Sequence, residues 1–196
     1  SIDYPFTNDY MFRAILQKDK QVLKALIAAL LHLKKESIHD VAITNPIELG
    51  AAISDKDFIL DIRVNLNNEQ LIDLEMQMSN EYNWSERSIS YAARSFDQLN
   101  SGEEYKEVLP VHSIGFLNFT LFEDQPEFFA TYELRNKKTG HLYSSKFSIH
   151  VLDLTRIDLA TAEDQNYEID RWAKLFKAKT WEELRMIAKN NPDLLQ

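Results

Sequence analysis

The chain contains no cysteine. That excludes a disulfide framework and any thiolate metal site, and it is compatible with a reducing cytoplasm. Glycine is scarce, with four in 196 residues. None of them sits in a P-loop, a dinucleotide-binding fingerprint or a nucleophile elbow, so nucleotide-binding and serine-hydrolase readings have no motif to rest on. The longest apolar runs, such as Ala25-Leu-Ile-Ala-Ala-Leu-Leu, fall far short of the ~20 residues a membrane-spanning helix needs. No membrane partner is expected. Positive charge is also short: 22 Lys and Arg face 31 Asp and Glu, a net charge of −9. Proteins that neutralise phosphates usually carry a basic footprint, so this balance counts against a high-affinity nucleic-acid binder. The five histidines, His32, His39, His112, His141 and His150, show no metal-ligand spacing. His150 alternates with Ser148 and Leu152 and reads as a structural strand residue.

What is present supports a folded core. With 44% apolar residues, the chain reads as one ordinary domain over 1–196, with a helical C-terminal segment from about 167. Its most informative stretch is Phe58-Ile-Leu-Asp-Ile-Arg-Val-Asn-Leu followed by Leu71-Ile-Asp-Leu-Glu-Met-Gln-Met. Both runs alternate apolar and polar residues with period two, the pattern of paired β-strands. Asp61, Arg63 and Asn65 share one face of the first strand, and Asp73, Glu75 and Gln77 share one face of the second.

Asn67, Asn68 and Glu69 suit a three-residue connection, because Asn tolerates the left-handed backbone such a loop requires. That register sets Leu66 against Gln70, Arg63 against Asp73, and Asp61 against Glu75. A two-residue loop would reverse the parity and face Asp61 with an apolar residue. Directly opposed residues have Cβ atoms roughly 4.5–5.5 Å apart. Arg63 is placed to neutralise Asp73, whereas Asp61 and Glu75 have no basic partner on the hairpin. Two hard carboxylates converging on a gap suit Mg²⁺ or Mn²⁺. The competing reading is a charged solvent face without function, common on antiparallel sheets.

The remaining pattern predicts helices over 8–17 and 20–33, a short strand Val41–Thr44 and a loop over 46–56. A helix over about 84–100 follows the hairpin, with Gly102 at its stop. A central strand runs from Val111 to Phe119. Strands over 127–135 and 143–153 flank the turn Asn136-Lys-Lys-Thr-Gly140. Helices Tyr167–Ala178 and Trp181–Lys189 close the chain, the second with Thr180 as N-cap and Glu183 at its third position. On the helix after the hairpin, Arg87, Tyr91, Arg94 and Gln98 form one stripe, and Ile89, Ala92, Phe96 and Leu99 form an apolar one. The pattern by itself predicts an α/β or α+β sandwich.

An acid in one strand, then Glu75-Met-Gln in the next, resembles the core of the PD-(D/E)XK nucleases, with Gln77 where lysine usually stands. The wider series narrows the resemblance: Asp9-Tyr-Met-Phe-Arg, Leu60-Asp-Ile-Arg-Val, Leu74-Glu-Met-Gln, Tyr91-Ala-Ala-Arg-Ser-Phe-Asp-Gln, Leu109-Pro-Val-His and Ile149-His-Val-Leu-Asp-Leu. In this order they resemble the Rpn-type recombination-promoting nucleases, or PD-(D/E)XK nuclease family transposases, over roughly residues 3 to 175. The resemblance implies a restriction-endonuclease-like α/β/α sandwich with a mixed central sheet. It implies metal-dependent hydrolysis of DNA phosphodiesters with low sequence specificity, in transposition or recombination. Asp61 and Glu75 would hold Mg²⁺ or Mn²⁺, with Ca²⁺ a further candidate, and the Met76 backbone carbonyl would add a ligand. Gln77 would orient the attacking water or contact the phosphate, without the charge that lysine supplies.

The family's helical opening makes Asp9 a candidate third ligand and Arg13 a candidate substrate contact. Arg87, Tyr91, Arg94 and Gln98 would face the DNA, since the guanidinium fork matches phosphate. The alternatives are a helix-start acid at Asp9 and a solvated face with Arg87 paired to a neighbouring acid. Two basic groups, Arg135, Lys137, Lys138 and Lys146, and Arg171, Lys174, Lys177 and Lys179, would form a rim around the acidic centre or simply aid solubility. A homodimer is expected if both DNA strands are cut, because one active site cuts one strand. An RNA substrate is not separated by sequence from DNA. The competing function is a catalytically inactive nuclease-fold binding or assembly module, motivated by Gln77 and the acidic surface. Members of the family often continue into a further helical tail, so the chain reads as a piece of a longer protein.

Overall fold

The computed structural model describes residues 9–46 and 61–178, with side chains from residue 13 onward. The expectations for Phe58–Leu60, most of the 46–56 loop, the Thr180 cap and helix Trp181–Lys189 lie outside these residues. A six-stranded mixed sheet organises the rest, in the order β1-β2-β3-β4-β6-β5. Its strands are β1 (Val41–Ile43), β2 (Asp61–Leu66), β3 (Gln70–Gln77), β4 (Val111–Leu117), β5 (Phe129–Glu133) and β6 (Phe147–Asp153). β3, β4 and β6 run parallel, and β1, β2 and β5 extend the sheet antiparallel at its two sides.

The helices are α1 (Asp9–Lys18), α2 (Lys20–Leu30), α3 (Trp84–Phe96), α4 (Ala162–Asn166) and α5 (Ile169–Lys177). The Asp19 side chain caps α2 by accepting from the backbone N–H groups of Gln21 and Val22, which satisfies donors that a helix start leaves unpaired. Leu23, Leu26, Ile27 and Leu30 of α2 and Trp172 and Phe176 of α5 bury against Ile62, Ile72, Leu74 and Phe116 on one sheet face. Each such aliphatic side chain contributes roughly 1.5–3 kcal/mol when fully buried.

α3 covers the other face, against β3, β4 and β6. It ends at Phe96 rather than about 100, so Gln98 lies beyond the helix and outside the predicted stripe. The face that packs also differs from expectation. Trp84, Ser88, Ala92 and Ser95 are the buried positions, while Ile89 is 53% exposed. Small side chains at 88, 92 and 95 bring the helix backbone close to the sheet, and one large residue, Trp84, fills the end. Gly115 of β4 makes room for it: a Cβ there would stand 2.2 Å from Trp84 Cζ2. The short helix α4 was not predicted. Thr161 and Asp164 close a reciprocal capping box at its start, and Glu168 turns the chain into α5 with a left-handed φ of 62°.

Candidate active site

The hairpin takes the register that the alternation requires. Asp61 lies across from Glu75, Arg63 from Asp73 and Leu66 from Gln70. Asn67 and Asn68 both hold φ at +56°, and the Glu69 N–H donates to the Leu66 carbonyl at 2.9 Å. The parallel strands extend the same face: Glu75 aligns with Gly115 and then Val151. Asp61 and Glu75 are buried, at 2% and 4% exposure.

The cationic partners differ from those expected. Arg63 Nε donates to Asp61 Oδ2 at 3.0 Å, so it pairs with the acid two residues back rather than with Asp73 across the ladder. Asp73 instead accepts from the Ser95 hydroxyl at 2.7 Å. Burial raises the Asp73 pKa to about 6, with the Ser95 hydrogen bond opposing and the Asp61 charge adding to the rise. Arg87 reaches down from α3 and places both Nε (2.8 Å) and Nη2 (2.7 Å) on Glu75 Oε1. The polar edge of α3 thus faces the hairpin, as the helical spacing predicts, but Arg87 binds a protein carboxylate.

Arg13 is engaged by the protein's own backbone. It is buried, and it donates to the backbone carbonyls of Asp61 and Asn45. Burial lowers its pKa, against the raising charge of Asp61. It anchors the start of β2 through these carbonyls. Asn45 joins it: its amide donates to the Asp61 carbonyl at 3.0 Å and accepts from the Arg63 N–H at 2.8 Å. Asn45 therefore extends the β1 edge and pins the backbone on both sides of Ile62. No local sequence signal marks it, because both of its partners lie about 16–18 residues away in β2.

Tyr91 sits half-buried beneath two guanidinium groups, Arg87 at 5.3 Å and Arg94 at 5.8 Å from its ring centroid. Arg94 and Gln98 are exposed. α1 begins at Asp9, and the side chain of Asp9 lies outside the described residues. The basic group at 135–146 is not a rim of this site. Its hairpin precedes β6, whereas Glu75 aligns with Val151, four strand residues further on and roughly 13 Å along the sheet. Lys146 there donates to the carbonyls of Lys106 and Val108, and Arg135 pairs with Glu133. Arg171 and Lys174 of α5 pair with Glu168 and Asp170, on the face that α5 shares with α2; Lys179 lies outside the described residues.

Two buried oxygens bear on what the site holds. Asp61 Oδ1 and Gln77 Oε1 have no hydrogen-bond partner among the described residues. A buried polar atom without a partner is costly, and such atoms mark strain or a missing ligand. No group of three or more His, Asp or Glu side chains among the described residues is placed to hold a metal ion. Two carboxylates suffice for a hard cation such as Mg²⁺, which keeps waters and takes further oxygens from substrate phosphates. The residues present therefore fit a divalent cation at Asp61 and Glu75.

A family model described as PD-(D/E)XK nuclease family transposase matches residues 6–196. The chain belongs to this family. The PD-(D/E)XK assignment gives the protein a nuclease- or transposase-related role, and its mixed sheet with helices on both faces is the restriction-endonuclease-like arrangement. No curated protein and no solved structure matches the chain. No helix among the described residues is long and apolar enough to cross a membrane.

Proposed function

We propose that this member of the PD-(D/E)XK family is a divalent-cation-dependent endonuclease that hydrolyses DNA phosphodiesters with little sequence specificity, in the setting of transposition or recombination. One observation carries the reading: Asp61 and Glu75 oppose one another in a buried strand register, and Asp61 Oδ1 lacks any hydrogen-bond partner among the described residues. Asp61 and Glu75 would hold Mg²⁺ or Mn²⁺. The Met76 side chain is buried in the core of the opposite face, so Met76 would contribute through its backbone carbonyl. Asp9 is proposed as a further ligand from the helix that starts the domain. When bound, the cation lowers the pKa of a water and stabilises charge on the leaving oxygen.

The protein groups supply positioning. Arg87 holds Glu75 in place, and Arg13 and Asn45 fix the backbone that carries Asp61. The Gln77 amide would orient the attacking water through its oxygen, which has no hydrogen-bond partner among the described residues. Tyr91 and Arg94 lie on the open edge of α3, where a DNA backbone would pass. The test is nicking of supercoiled plasmid with Mg²⁺, Mn²⁺ or chelator, beside Asp61→Ala. Metal-dependent nicking absent from the variant supports the reading; nicking that survives Asp61→Ala refutes it.

A second reading has its own support. Both acids already carry arginine partners, and Gln77 is neutral. An inactive binding module would show no Mn²⁺ uptake by calorimetry, and uptake lost in Glu75→Ala would exclude it.

A further inference from the structure

We infer that Arg63 is the phosphate-binding cation of this site, standing in for the charge that Gln77 does not supply; the inference rests on the nuclease reading above. The geometry singles it out among the described arginines near the two acids. Arg13 is buried and directed at backbone carbonyls. Arg87 has two of its nitrogens on one oxygen of Glu75. Arg94 lies above the Tyr91 ring, two helical turns from Arg87. Arg63 alone among the described arginines combines contact with Asp61 and an open side chain. Its side chain is 47% exposed, and Nε is its one nitrogen engaged by a described side chain, at Asp61 Oδ2.

This single contact does two things. It holds the half-exposed guanidinium at Nε and leaves both Nη groups without a described side-chain partner. It also divides the Asp61 carboxylate between two tasks, since Oδ2 accepts from Arg63 while Oδ1 has no partner among the described residues. A cation taken by Oδ1 and a guanidinium held by Oδ2 would sit side by side on one carboxylate, and both would face the same phosphate. The paired Nη groups match two phosphate oxygens, which an ammonium cannot do in the same way. The alternative is purely structural: Arg63 merely neutralises Asp61.

The experiment uses the whole chain, Arg63→Gln and Arg63→Lys. Each is read by anisotropy of a fluorescein-labelled DNA duplex in chelator across a salt series, by Mn²⁺ calorimetry, and by plasmid nicking. Thermal melting confirms folding of this half-exposed variant. Loss of one phosphate contact predicts about tenfold weaker DNA binding for Arg63→Gln and a salt slope shallower by about 0.9. Arg63→Lys restores the slope and only part of the affinity. Wild-type affinity and slope in Arg63→Gln overturn the inference, and so does a change confined to Mn²⁺ affinity, which is what the structural role would produce. The two readings fail separately. If the wild-type chain binds DNA but shows no chelator-sensitive nicking, the nuclease reading falls while the salt slope still decides Arg63. If it nicks and the slope is unmoved, only Arg63 falls. A wild-type chain that binds no DNA at any salt overturns both.

Discussion

Replacing Gly115 by alanine probes how α3 is seated over the site. An added Cβ would meet Trp84 Cζ2 at 2.2 Å and Cε2 at 2.8 Å. Real Cβ atoms do not approach this closely, so the ring or the helix must move. The ring has little room, because Trp84 is buried against Leu117 and Val151. The strain therefore passes to the first turn of α3, which carries Arg87 one turn beyond Trp84. Overpacking of this kind costs typically 1–3 kcal/mol. In a chain of this size each kcal/mol lowers the melting temperature by about 2–4 °C, so Gly115→Ala should melt roughly 2–12 °C lower.

Position matters as much as stability. Gly115 lies directly across from Glu75, and a raised helix start withdraws Arg87 from Glu75. Nicking measured well below the melting temperature should therefore fall by more than the unfolded fraction explains. Trp84→Leu in the Gly115→Ala background should relieve the clash, giving a double variant more stable than the sum of the singles by about 0.5–3 kcal/mol. The assays are thermal melting by circular dichroism and plasmid nicking at low temperature. A Gly115→Ala chain that melts within ~1 °C of wild type, equivalent to under ~0.5 kcal/mol, would refute the packing argument.

Two further outcomes are expected. Arg87→Met should destabilise the protein by roughly 1–3 kcal/mol at neutral pH in urea unfolding, because buried Glu75 loses its charge-assisted hydrogen bonds. Acid sensitivity should trace to His150, which bonds to Thr131, Ser148 and His112 and whose pKa burial pushes down to about 3, with His112 and His32 adding to the drop. The unfolded chain takes up this proton near pH 6.5 and the folded chain does not. The contribution is therefore complete above pH 6.5 and is lost as pH falls toward 3, by at most ~5 kcal/mol at 1.36 kcal/mol per pH unit. Asp73 acts in the opposite sense: its folded value of about 6 exceeds its ordinary 3.8, so its contribution grows as pH falls through 6. His150→Gln should flatten the loss of stability between pH 6.5 and 4 in urea titrations, and an unchanged pH profile would contradict the buried neutral histidine.

The hairpin shows how far sequence alone reached. The period-two alternation and the odd loop Asn67-Asn-Glu determined the register, because a slip of one residue would turn Ile62, Val64 and Leu66 away from the core they share with α2 and α5. All of that information lies within about 16 residues, so Asp61 and Glu75 were legible as a facing pair, and the motif series identified the family. The partners of these acids were not legible. Arg63 hydrogen-bonds back to Asp61, while Asp73 takes its hydrogen bond from Ser95 of α3. Arg87 reached Glu75, and Ser88, Ala92 and Ser95 rather than Ile89 became the packed face, because Gly115 admits Trp84 and thereby sets the height and rotation of the helix over the sheet. Arg13 and Asn45 met the start of β2 only once α1 and β1 had docked beside it. Local alternation decides which face a strand residue takes. Contacts between elements far apart in the chain decide what it meets there, and these depend on side-chain volumes in three dimensions.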